Sequence, residues 1–101
     1  MYRFVFAAAV SFLITLLTTP VSSATFVYVS VAGEHAISIW QMDENSGGLT
    51  HLSKIDVEGE PGCLTTDPAQ KFMFASLRTA GKIASFRIDG ATGGLTPVGV
   101  I

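Results

Sequence analysis

Charge is scarce in this chain and neither sign dominates. Six Lys and Arg stand against eight Asp and Glu, and charged residues make up 14% of 101. A nucleic-acid groove needs a surplus of cations, so no nucleic-acid partner is expected. Cysteine occurs once, at Cys63, which excludes an internal disulfide framework and a paired-cysteine metal site. No Gly-x-Ser-x-Gly elbow and no glycine-rich phosphate loop occurs, so no cofactor and no metal is expected. Beyond residue 24 no stretch of ten or more residues has the 3.6-residue apolar spacing of an amphipathic helix, which argues against all-α and α/β folds. What is abundant is apolar surface: 49% of the residues are hydrophobic, too many for a disordered polar tail.

Part of that apolar content is read as a targeting segment. Arg3 supplies a positive start, residues 4–17 are uncharged and mostly apolar, and Pro20-Val21-Ser22-Ser23-Ala24 ends in small residues. Residues 1–24 are therefore expected to be a helical signal peptide cut after Ala24, making the protein secreted or periplasmic with no stable membrane anchor after cleavage. The alternative is an uncleaved signal that anchors the chain, although the apolar run is shorter than the ~20 residues a spanning helix needs. Cys63, alone in an oxidising compartment, is expected to be a small buried apolar residue.

Residues 25–101 repeat. Phe26-Val27-Tyr28-Val29-Ser30 is answered 46 positions later by Phe72-Met73-Phe74-Ala75-Ser76, and Gly47-Gly48-Leu49-Thr50 by Gly93-Gly94-Leu95-Thr96. Over the 30 positions paired without a gap, 9 are identical, including Ile37 with Ile83 and Asp43 with Asp89. A period of this size is that of a four-stranded propeller blade. The composition predicts short strands at residues 26–30, 37–42, 49–57, 63–66, 72–76, 83–88 and 95–101. Residues 37–42 carry apolar side chains in both alternation phases, as a strand covered on both faces does. Ser46-Gly47-Gly48 and Thr92-Gly93-Gly94 predict hairpin turns with positive φ, and Asp67-Pro68 predicts a further turn. The expected fold is all-β, propeller blades preceded by a signal helix.

The order of these motifs resembles the lactonase family of seven-bladed β-propellers, whose members include the bacterial 6-phosphogluconolactonases. The resemblance rests on the Phe26–Ser30 strand, Ile37-Ser38-Ile39-Trp40-Gln41-Met42-Asp43, the Gly-Gly-Leu-Thr turn, the Gly59-Glu60-Pro61 step and Thr66-Asp67-Pro68-Ala69-Gln70-Lys71-Phe72-Met73-Phe74. It implies about one and two-thirds of seven blades, blade 1 over about residues 25–60 and most of blade 2 over about 61–101. It also implies that the chain is a truncated member whose first blade lacks an inner strand. It carries no catalytic residue onto this stretch, so the catalytic residues stay unknown.

The candidate chemistry is thin. His35 and His51 fall in different turns of the repeat, opposite Gly81 and Pro97, and each reads as a surface or turn residue. Asp43-Glu44-Asn45-Ser46-Gly47 resembles a calcium loop, but its second copy, Asp89-Gly90-Ala91-Thr92-Gly93, loses the oxygen ligands, so Asp43 and Asp89 are expected to bond the local backbone. Glu58, Glu60 and Arg78 lie in loops, where a carboxylate or histidine base and an arginine would suit opening of a lactone ring.

Two functions follow. The first, implied by the resemblance, is hydrolysis of a small sugar lactone. The second is a binding module, or a nonfunctional fragment, without chemistry. Fewer than two blades are expected to have little stability or activity alone, with Trp40, Phe74 and Phe86 partly exposed and the edges at residues 26–30 and 95–101 open to self-association.

Overall fold

The computed structural model describes residues 24–101; the expected signal helix and its cleavage region lie almost entirely outside them. Within this stretch no helix is long and apolar enough to cross a membrane. Seven strands form: β1 (Thr25–Val31), β2 (Ala36–Met42), β3 (Leu49–Asp56), β4 (Pro61–Thr66), β5 (Phe72–Leu77), β6 (Lys82–Ile88) and β7 (Leu95–Val100). All seven predicted strands are present, most of them one or two residues longer or shorter than expected. One 3-10 turn, Ala32–Glu34, joins β1 to β2.

The strands make two antiparallel meanders, β1-β2-β3 and β4-β5-β6-β7. The 46-residue repeat extends to their irregularities. A register shift falls between Ile39 and Trp40 in the first sheet and between Ser85 and Phe86, the same repeat positions, in the second. The turns use identical chemistry. Asp43 Oδ1 accepts from the backbone N–H of Asn45 and Ser46, and Asp89 Oδ1 accepts from those of Ala91 and Thr92. Gly47 and Gly93 then take φ of 74° and 76°, whereas Gly48 and Gly94 do not, so one glycine of each pair meets the turn's demand. The turn between β4 and β5 differs: Asp67 Oδ1 accepts from Lys71 and Phe72, four and five residues on, and Gln70 adopts the left-handed conformation.

The core lies between the sheets. Ile37 of β2 packs on Met73, Ala75 and Leu77 of β5 and Ala84 and Phe86 of β6, all nearly inaccessible, with Tyr28, Ile55, Val57 and Leu64 at its margin. Phe86 is 3% exposed, which corrects the expectation that it would be partly exposed: its face of β6 already has the first sheet as a neighbour. Trp40 is half-buried and Phe74 exposed, as expected. Polar contacts reinforce the apolar ones. Tyr28 OH donates to Gly93 O at 2.7 Å and Ser30 Oγ to Gly62 O at 2.6 Å. Burial, and secondarily the nearby Asp89, pushes the Tyr28 phenol above its ordinary pKa, which keeps it a donor. Phe26 lies on Gly93, where an added Cβ would come within 2.5 Å of its ring.

Candidate functional site

Strand direction sorts the candidate residues into two ends. β1, β3, β5 and β7 all finish at one end, so residues 32–35, 57–60 and 78–81 gather there, bringing His35, Glu58, Glu60 and Arg78 together. Asp43 and Asp89 lie at the other end. So does His51, which is on β3 and not in a turn; it is paired with Trp40, the two rings meeting edge-on at 4.8 Å. This contact gives His51 a packing role.

The linker from β3 to β4 organises the first end. Val57 N–H donates to His35 O, and His35 Nδ1 lies 2.8 Å from Gly59 O. On the other side Arg78 N–H donates to Glu60 O and Glu60 N–H to Thr79 Oγ1. The linker is thus held by turns from both sheets. His35 achieves this in a left-handed conformation, φ 52°, at the repeat position where the second sheet has Gly81, φ 64°. A left-handed non-glycine residue costs roughly 1–2 kcal/mol, and the imidazole contact with Gly59 offsets it. Gly81 opposite His35 was the visible sequence signal for that conformation, although not for the bond.

Glu58 pairs with Lys82 at 3.4 Å and Glu34 with Lys54 at 3.7 Å, all of these side chains being about half exposed. Exposed pairs of this kind add little stability, and their interest is in which charges they occupy. Sequence reasoning missed both lysines, because each pair joins residues 20 or more positions apart that follow no local period. A small cleft of about 120 Å³ opens beside Glu58, lined also by Asp56, Val57, Leu77 and Phe86. The opposite end holds a larger hollow of about 630 Å³ beside Thr25, Tyr28 and Gln70. Its one carboxylate, Glu44, already accepts from Thr25 Oγ1; no cation lines either hollow, and the linker end is the better candidate for acid-base chemistry because His35, Glu60 and Arg78 lie at that end, outside the small cleft.

Cys63 corrects another expectation: it is exposed. It lies on β4, an outermost strand of its sheet, beside a register irregularity between Pro61 and Leu64. Pro61 and Leu64 take the inward positions there, leaving the thiol outside. Among the described residues no group of three or more His, Cys, Asp or Glu is placed to hold a metal ion.

The chain is 33% identical over 72 residues to 6-phosphogluconolactonase of Bacillus subtilis and 35% identical over 63 residues to that of Sodalis glossinidius. These matches cover 70% and 62% of this chain but 21% and 19% of the relatives, so the chain spans about a fifth of their length. A solved structure from Bacteroides fragilis, provisionally assigned as a 6-phosphogluconolactonase, superimposes with a TM-score of 0.69 at 28% identity, over 75% of this chain and 22% of that one. The periplasmic gluconolactonase of Pseudomonas aeruginosa shares the fold, with a TM-score of 0.59 at 16% identity, over 82% and 28% of the two chains. The model of the seven-bladed β-propeller lactonases matches residues 20–100, the whole span in which the repeated meanders, their bulges and their aspartate turns occur, and the chain therefore belongs to the lactonase family of seven-bladed β-propellers.

Proposed function

We propose that the chain contributes two neighbouring blades to an exported lactonase that hydrolyses a small sugar lactone. The family and its 6-phosphogluconolactonase relatives support a lactone-opening hydrolase. The observation that carries the reading to this chain is the convergence of Glu58, Glu60, Arg78 and His35 at one end of the two-sheet unit. Opening a lactone requires a base to activate water and a positive group for the oxyanion that forms at the carbonyl. Carboxylates, an imidazole and a guanidinium at one rim supply both kinds of group. Blade 1 then comprises about residues 25–60 and most of blade 2 about residues 61–101, with residues 1–24 a cleaved signal that delivers the protein to the periplasm or the exterior.

The test is hydrolysis of glucono-δ-lactone and of its 6-phosphate by the protein purified as its gene encodes it, beside N-terminal sequencing of the exported form. Turnover well above the spontaneous rate, and a mature terminus at Thr25, are expected. Ring opening at the spontaneous rate with both lactones would refute the lactonase reading, and an intact Met1 in a membrane fraction would refute cleavage. A second reading, a binding module that associates through its sheet edges, has in its favour that β1, β3, β4 and β7 each have one edge without a strand partner among the described residues.

A further inference from the structure

Arg78 is placed with unusual care for an exposed side chain. Its backbone N–H is fixed to Glu60 O at 2.9 Å, and Leu77 before it is fully buried. From there its stem turns over the neighbouring strand and lies on Gly62 of β4. A Cβ built on Gly62 would meet Arg78 Cδ at 2.5 Å, Ser76 Oγ at 3.0 Å and Arg78 Cγ at 3.1 Å. Gly62 is not among the glycines with positive φ, which are Gly47, Gly59, Gly81 and Gly93. Backbone conformation therefore does not ask for glycine at position 62; the room taken by the arginine stem does.

The crossing has a direction. β4 is the last strand of its sheet, in the order β4-β5-β6-β7, so the Arg78 stem reaches this outermost strand from the turn after β5, while Ser30 Oγ of β1 donates to the carbonyl of the same Gly62. The lysines at this end are otherwise engaged, whereas the Glu60 carboxylate beside Arg78 is in no ion pair among the described residues. Lys82 is taken by Glu58 and Lys54 by Glu34, and among the described residues the Arg78 guanidinium has neither an ion pair nor a side-chain hydrogen bond. Its planar fork of N–H donors sits on a stem propped by a missing side chain, and the residue is exposed to solvent. A fork so presented suits a planar or tetrahedral oxyanion, which it can hold through two parallel bonds.

We infer that Arg78, propped on Gly62, is an oxyanion-binding residue that holds a carboxylate or phosphate group of the ligand. The inference rests on the lactonase reading only for what that ligand is. A sugar lactone presents such a group as a phosphate ester or, after ring opening, as the product carboxylate.

Inorganic phosphate and gluconate, titrated separately into the purified gene product while the Arg78 Nε–H resonance is followed, test this directly. Saturable movement of the resonance is expected with at least one of the two anions, phosphate alone marking a phosphate-ester site and gluconate alone a carboxylate site. Arg78→Gln should weaken that binding about tenfold or more, the loss of one charge-assisted contact. Arg78→Lys, which keeps the charge and loses the fork, should weaken it less. Gly62→Ala should weaken it severalfold with Arg78 still present. No movement with either anion, or binding to Arg78→Gln as tight as to the parent, overturns the inference; a Gly62→Ala protein that binds like the parent overturns the propping. Lactone hydrolysis measured alongside separates the two claims, because anion binding through Arg78 without turnover would refute the lactonase and leave the anion site standing.

Discussion

The two sheets repeat one sequence pattern, yet the same repeat position meets different surroundings in each. Ile37 is wholly buried, while its counterpart Ile83 is 49% exposed. Tyr28 is half-buried against the second sheet, and its counterpart Phe74 lies open. The reverse holds on the other faces, where Phe86 is buried and Trp40 is only half so. Each blade has the same two apolar faces, and burial is decided by which face has a neighbour. The face carrying Phe74 and Ile83 is therefore chemically a blade-to-blade face, and its exposure describes position in the array and not a different kind of sheet.

Paired substitutions sharpen this comparison. Ile37→Ala should destabilise by about 2–4 kcal/mol and Ile83→Ala by well under half of that, measured by denaturant unfolding. Equal losses would show that the Ile83 face is covered in solution. The glycine pair isolates one contact. Gly47→Ala and Gly93→Ala both force alanine to positive φ, at about 1 kcal/mol, but nothing lies within 4 Å of the first, whereas the second would strike the Phe26 ring. Gly93→Ala should cost clearly more, by 1–3 kcal/mol on the scale of about that size for overpacking, and Phe26→Ala in the same protein should remove the difference. Tyr28→Phe, which leaves Gly93 O without its donor, should cost about 1 kcal/mol, while Phe74→Leu at the matching position should be nearly neutral.

The smallest effect is in the turns. Backbone N–H groups of Phe72 and Lys71 hold the Asp67 carboxyl below its ordinary pKa of 3.8, and those of Ala91 and Thr92 do the same for Asp89. In both cases the charged form is favoured by folding. Their contribution is complete above about pH 5, begins to fall near the unfolded value of 3.8 and is lost as pH falls through the lowered folded values. Unfolding midpoints should be flat from neutrality to about pH 5 and decline below pH 4, less steeply in Asp67→Asn.

The fold was legible in the sequence to an unusual extent because the repeat tests itself. A strand seen at residues 26–30 is checked by one at 72–76, and both aspartate turns announce their backbone bonds through Asp43 and Asp89. The site was only partly legible. Topology alone gathers Glu58, Glu60 and Arg78, and their loop positions were readable. What they do there depends on Lys82, Gly62 and Gly59, whose contacts join segments from about 16 to 24 residues apart and follow no local period. Cys63 misled because a lone cysteine predicts burial on average, whereas the irregular pairing of β4 decides which of its side chains turn inward. Phe86 misled because the number of blades does not set its exposure; one neighbour on the correct side suffices.

The stapled linker has a mechanical consequence. In a closed ring every junction must turn the chain through the same angle, one-seventh of a revolution for this family, and errors accumulate around the circle. Residues 57–60 are fastened by His35 on one side and by Thr79 and Arg78 on the other, so this joint behaves less like a hinge than like the keyed face between two stones of an arch. The angle is set by contacts within the joint itself, and the rim groups it carries inherit that accuracy.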